Sequence, residues 1–239
     1  MRPQYSIVLP FVLMCLATAH SSAEVVLDKT FDVKPAILPI EKFIKSYATP
    51  RAKGTFNYNI WVQNGRMRGG NSVFGWRVSG KRYVSAIAWY TSNLDPLPDC
   101  DDNSYDCDWI VDRHTICHLF LFDADTLTLA GVTPLNLARD RRLLKGKPRC
   151  QDVKAMSVAE VVPDTMLITL GYSDSAEPAE TRYDPPEFVT TVALHFDPTP
   201  GVLRVEQRDK CLGNPNGLKT IAAARKKLRE CEAEKARAQ

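Results

Sequence analysis

His114, Cys117 and His118 come nearest, by residue type and spacing, to a metal site in this chain. On a helix, histidines four apart share one face, as zinc ligands do. The run Thr115 to Phe122 is β-favouring, however, and on a strand residues four apart stand ~13 Å from each other, too far to share an ion. His118 also shares its strand face with Ile116, Phe120 and Phe122. A satisfied, partly buried histidine is therefore expected, with no metal and no other cofactor.

A second constellation lies between two cysteines. Asp99, Asp101, Asp102, Asp106 and Asp108 cluster around Cys100 and Cys107, and carboxylate oxygens are what calcium binds. The spacing is not that of an EF-hand, because no glycine provides its sharp turn and no glutamate closes it at the twelfth position. Tyr105 and Trp109 stand beside these acids, and aromatic anchors often dominate protein interfaces. Asp101, Asp102, Tyr105, Asp106 and Trp109 are thus expected to contact a basic protein partner.

Signatures of enzymatic chemistry are missing. Neither Gly70-Asn71-Ser72 nor Gly171-Tyr172-Ser173 completes a nucleophile elbow. A glycosidase needs only two well-placed carboxylates, and Glu160, Asp164, Glu187 or the acidic loop could supply them, but nothing selects a pair. An enzyme becomes the better reading if folding gathers His114, His118 or His195 with a carboxylate in one cleft. The basic stretch Arg139 to Arg149 and the cations Lys226, Lys227 and Arg229 read as solvated faces.

The elements that must position these residues begin with an export signal. Arg2 precedes an apolar run from Ile7 to Ala19, which ends at His20, Ser21 and Ser22. That is the make-up of a cleavable signal peptide, too short for the ~20 apolar residues of a spanning helix. The small residues favour a cut after Ala23. No other stretch reaches membrane-spanning length, so no stable membrane insertion is expected after cleavage. The formal net charge is only +3, which does not call for nucleic-acid binding.

Cleavage removes Cys15 and leaves Cys100, Cys107, Cys117, Cys150, Cys211 and Cys231. An even set in an oxidising compartment reads as three disulfides. Proximity in sequence pairs Cys100 with Cys107, Cys117 with Cys150, and Cys211 with Cys231. The absence of any Asn-x-Ser/Thr sequon favours a bacterial periplasm over a eukaryotic secretory route.

Residues 24–50 carry Pro35, Pro39 and Pro50, and read as an extended lead-in. Beyond them, apolar alternation is punctuated by turn residues: Phe56 to Val62, Phe74 to Val78, Ser79-Gly80, then Tyr83 to Tyr90, apolar on both faces as a central strand would be. Thr115 to Phe122 and Leu127 to Leu129 flank an Asp123-Ala124-Asp125 turn. Met156 to Val161 and Thr165 to Leu170 flank Pro163-Asp164, and Phe188 to Phe196 returns through Pro198 to Gly201 to Leu203 and Val205. The pattern is mainly β, an antiparallel meander forming a sandwich, an open barrel or a propeller-like sheet, with too little chain for a full propeller. Asn214-Pro215 supplies a cap-like residue and a proline suited to a first helical turn. Thr220 to Ala238 is rich in Ala, Lys, Arg and Glu and predicts a C-terminal α-helix.

The expected layout is a cleaved signal over 1–23, the lead-in over 24–50, a disulfide-stabilised β domain over 51–210 and a helical tail over 211–239. In class terms this suits an exported protein-binding module, an inhibitor or a toxin-neutralising immunity protein acting by occlusion. An exported hydrolase with a site assembled from distant residues, and a structural cell-envelope component, are the alternatives.

Overall fold

Short turns with specific backbone chemistry organise the β structure. The computed structural model describes residues 24–48, 58–60, 73–93, 113–174, 187–199 and 202–238. The segment expected to be an export signal, the acidic segment with Cys100 and Cys107, and the Pro50 region lie outside them. Strand β3 (Phe74–Val78) returns into β4 (Lys81–Asn93) through Ser79 and Gly80, both at positive φ, 49° and 80°. Two central residues in that region give a hairpin turn whose twist matches its strands. Strand β5 (Arg113–Asp123) passes into β6 (Leu129–Leu135) by way of Asp123, whose carboxylate accepts the N–H groups of Asp125 and Thr126. Strands β7 (Pro148–Val158) and β8 (Thr165–Asp174) meet across the expected Pro163-Asp164 turn, and β9 (Phe188–Thr199) pairs with β10 (Val202–Gln207).

Two short strands complete the set, β1 (Val25–Leu27) and β2 (Tyr58–Ile60). The first sheet runs β1-β3-β4-β5-β6, and β2 pairs with the stretch of the β4 edge beyond β3. The second sheet runs β10-β9-β8-β7. All pairings are antiparallel, and neither sheet closes on itself. The fold is therefore mainly β, as expected, and of the three architectures it is the sandwich.

The inner faces of the two sheets enclose one core. Trp76, Tyr83, Ile87, Leu119, Leu121 and Leu135 from the first sheet meet Val153, Met156, Ile168, Leu170, Val192, Leu194 and Phe196 from the second. Trp76 is fully buried, and its indole N–H donates to Ser85 Oγ at 2.7 Å. That bond removes the cost of burying an indole N–H without a partner.

Helices cover both outer faces, giving four layers. Helix α1 (Lys34–Ala48) occupies most of the segment expected to be extended, so that expectation is corrected. Ala36, Ile40 and Ile44 recur at four-residue spacing and pack on Val84, Ala86, Phe120 and Phe122 of the first sheet. Phe43 meets Phe122, and Tyr47 meets Phe120, edge to face at 5.3 Å. Pro35 lies in the first turn, where its missing N–H costs nothing, while Pro39 lies inside the helix.

Helix α2 (Ile221–Ala238) covers the second sheet through Ala224 and Leu228, which pack with Leu167, Ala193 and Leu212. Its cap is not Asn214: Thr220 Oγ1 accepts the N–H of Ala223 at 3.2 Å, and the helix begins six residues after Pro215. Arg225 ties it to β7 by donating to the Val158 carbonyl and Ser157 Oγ. No helix among the described residues is long and apolar enough to cross a membrane.

Asn216 has a different task. Strand β10 ends opposite Leu194, which leaves the β9 edge bare at Thr191. The Asn216 amide fills that place as a strand peptide would, donating to the Thr191 carbonyl at 2.7 Å and accepting its N–H at 3.1 Å. Thr191 is fully buried. Asn216→Ala is expected to lower stability by about 2 kcal/mol, because it leaves both groups of that buried peptide without partners. A fall in the urea midpoint at unchanged slope would show it.

Candidate functional site

The strand registers separate the sandwich into two unlike ends. Val78 faces Lys81, Phe122 faces Leu129, Val158 faces Met166 and Thr199 faces Val202 at one end, so these four hairpins close in six residues or fewer. Val25, beside Val78, donates its N–H to the Pro163 carbonyl at 2.7 Å, which shows that the tight ends of both sheets coincide. At the other end Asn93 faces Arg113, and Pro148 faces Asp174. The connections 94–112, 136–147 and 175–187 all depart from that end.

One disulfide joins the sheets close to that loop-bearing end. Cys117 on β5 and Cys150 on β7 are bonded with Cα atoms 5.7 Å apart, and both are buried. The second pair, Cys211 with Cys231, holds the chain before α2 to the helix itself. Both are the pairings expected from proximity, and they suit an oxidising compartment. Cys100 and Cys107 lie outside the described residues, as do Asp101, Asp102, Tyr105, Asp106 and Trp109. The strand residues that bracket this segment, Asn93 and Arg113, are paired partners at the loop-bearing end.

The connection 136–147 shows how that end is built. Asp174, buried at the end of β8, accepts the backbone N–H groups of Lys145 and Gly146 at 2.6 and 2.7 Å. Leu144 is buried as an anchor, while Leu143 is exposed. Asp140 takes three contacts from Arg142, whose guanidinium holds the Asp140 carboxyl below the usual carboxylate range. Arg139 donates to the Lys145 carbonyl. The stretch read as merely solvated is thus a shaped, basic rim fixed by a buried carboxylate.

The histidines divide sharply. His118 is buried on the helix-covered face near Phe120, and its Nδ1 lies 3.1 Å from the Ile116 carbonyl, so that nitrogen carries the proton. Burial pushes its pKa down to about 4. Cys117 is bonded to Cys150, so its sulfur is not open to a metal beside His118. Among the described residues Cys211, Cys231 and Glu232 approach as metal ligands would, but the two sulfurs are joined to each other.

His195 is different, because its Nδ1 stands 3.1 Å from Asp164 Oδ1. Asp164 also accepts the Thr165 hydroxyl at 2.9 Å. The pairing follows from register, since Thr165 faces His195 across β8 and β9. His195 lines a groove of about 560 Å³ along the seam where the edge strands β6 and β10 meet. This is the histidine-carboxylate pairing that favours chemistry, yet no nucleophile of an elbow-type site joins it among the described residues. Among the described residues the groove lining contains no serine or cysteine, and its hydroxyl, Thr133 Oγ1, donates to the Val205 carbonyl at 3.3 Å. The other candidate acids are separately engaged, Glu160 with Arg225 at 2.6 Å and Glu187 with Lys154 at 2.6 Å.

Side chains close the rest of the seam. Gln207 exchanges hydrogen bonds of 2.8 Å with the backbone of Asn136 in both directions. Asn214 bridges the Asn136 carbonyl and the Asp209 carboxylate at 2.7 Å each. Burial pushes the Asp209 carboxyl up, although Ala193 N–H, Gln207 and Asn214 all donate to it. No family model, curated protein or solved structure matches the chain.

Proposed function

We propose that the chain is an exported, periplasmic or extracellular binding module that captures a protein partner at its loop-bearing end. It would act by occlusion, as an inhibitor or a toxin-neutralising immunity protein does. One observation carries this reading: the connections 94–112, 136–147 and 175–187 leave from one end, and the β-hairpins at the opposite end close in six residues or fewer. Loops held on a rigid scaffold are where recognition residues concentrate. The disulfide Cys117–Cys150 supports it further, since a frame braced near the contact loses less order on binding. The acidic and aromatic segment from Asp99 to Trp109 springs from that end and supplies the contact residues. Cleavage after Ala23 would leave β1 whole.

Affinity capture from the exported fraction tests the proposal. The protein should retain a partner that is lost when Asp101→Asn, Asp102→Asn and Tyr105→Ala are combined. Asp125→Ala, an exposed change at the tight-turn end, should leave capture intact. Capture that survives the triple change, or that is lost at Asp125, would remove the loop-bearing end from consideration.

A further inference from the structure

The groove along the β6–β10 seam is separate from the loop-bearing end, and its charges are unevenly committed. Arg208 is held by Glu206 through contacts of 2.8 and 2.7 Å. Arg204 lies opposite Asp197 in the β9–β10 register, yet it makes no hydrogen bond or ion pair with any other described residue. A free guanidinium in a groove offers a planar fork of donors matched to a carboxylate. His195 lies one pair further along the same face, opposite Glu206. Diagonal neighbours of this kind are separated by ~7 to 8 Å. Asp164 holds the His195 ring by Nδ1, so in the neutral imidazole the remaining nitrogen Nε2 is an acceptor.

We propose that this groove binds a small carboxylate carrying an N–H or O–H donor on the adjacent carbon, the carboxylate on Arg204 and the donor on His195 Nε2. A 2-hydroxy acid and the C-terminal residue of a peptide share that chemistry. Two features limit the charge of the ligand. Asp197 stands opposite Arg204, and among the described lining residues Arg204 is the one uncommitted arginine, so a single negative charge is matched and a dianion such as a phosphate monoester is not. Gly131 and Val132 on the β6 wall leave room for an apolar substituent: a Cβ built on Gly131 meets nothing nearer than the Leu203 carbonyl at 3.9 Å.

The test follows the His195 imidazole signals by NMR in the mature, disulfide-intact protein. N-acetylglycine and glycolate should each shift them saturably, and the tighter of the two identifies the source as peptide terminus or hydroxy acid. N-acetylglycinamide, which lacks the carboxylate, and inorganic phosphate should not. Arg204→Gln should weaken binding at least tenfold at an unchanged unfolding midpoint, and Arg204→Lys should fall between, because it keeps the charge without the fork. Equal shifts from the amide or from phosphate, no shift from either carboxylate, or undiminished binding by Arg204→Gln would overturn the proposal. None of these outcomes depends on partner capture at the loop-bearing end.

Discussion

Replacing Cys117 and Cys150 together by alanine lowers the free energy of unfolding by about 4 kcal/mol, and the same change at Cys211 and Cys231 lowers it by about 3 kcal/mol. The order follows from the sequence separations of 33 and 20 residues, since the longer closed loop removes more conformational freedom from the unfolded chain. Burial adds to the difference. The Cys117 and Cys150 sulfurs lie in the core between the sheets, so their loss also removes packing among Trp76, Leu135 and Leu170. The Cys211–Cys231 pair is partly exposed and braces only the approach to α2. Urea unfolding of both double variants would measure the losses. An inverted order, or a loss below ~1 kcal/mol at Cys117 and Cys150, would contradict the loop-closure account.

Acidification from pH 6.5 to 4 costs about 3 kcal/mol of stability through His118 alone. Burial lowers its folded pKa from 6.5 to about 4. Within that window the unfolded chain takes up a proton at His118 and the folded chain does not, so stability is complete above pH 6.5 and is lost as the pH falls toward 4. Each pH unit of that interval corresponds to about 1.4 kcal/mol. Asp209 acts in the opposite sense, because its carboxyl is raised and the folded state holds its proton more tightly near the acid end. The effect is therefore read as a difference between the native protein and His118→Gln, in which the other titrating groups largely cancel. The variant should show a flatter stability profile between pH 6.5 and 4. Parallel profiles would mean that His118 is protonated in the folded state.

What could be seen in the residues, and what could not, has a physical pattern. Hairpins marked by local chemistry were visible: Ser79-Gly80 through positive φ, Asp123 through its carboxylate turn, and Pro163-Asp164 between β7 and β8. The two described disulfides followed from proximity. Helix α1 was hidden by its prolines. The penalty of an interior proline, ~3 kcal/mol, is offset by burying Ala36, Ile40, Ile44, Phe43 and Tyr47 against the sheet, a tertiary gain that local propensity does not register. Their spacing of four was the available signal. The span of α2 was legible from Thr220 to Ala238, but its cap was misassigned because Asn214-Pro215 resembles one, whereas Asn216 seals the β9 edge and Thr220 caps the helix.

The candidate groove was hidden for another reason. Asp164 sits in the β7–β8 turn and His195 on β9, and only the pairing of Thr165 with His195 brings them together. Arg204 is likewise brought to the same face by the β9–β10 register. Composition and spacing carry no record of register between strands whose inward faces are uniformly apolar. The basic run from Arg139 to Arg149 was visible as charge, but its shape depends on Asp174, a residue from the far end of another strand.

The helices on both outer faces have a consequence for the footprint available to a partner. With each sheet face covered, an approach along the strand axis meets the cross-section of four stacked layers. Four layers of ~10 Å and up to five strands of ~4.8 Å make that section roughly 40 Å by 24 Å, or about 1,000 Å². A standard protein interface takes ~800 Å² from each side. The exposed end of the sandwich is thus only slightly larger than one such contact, so an end-on partner would take up most of it and leave no room for a second protein there.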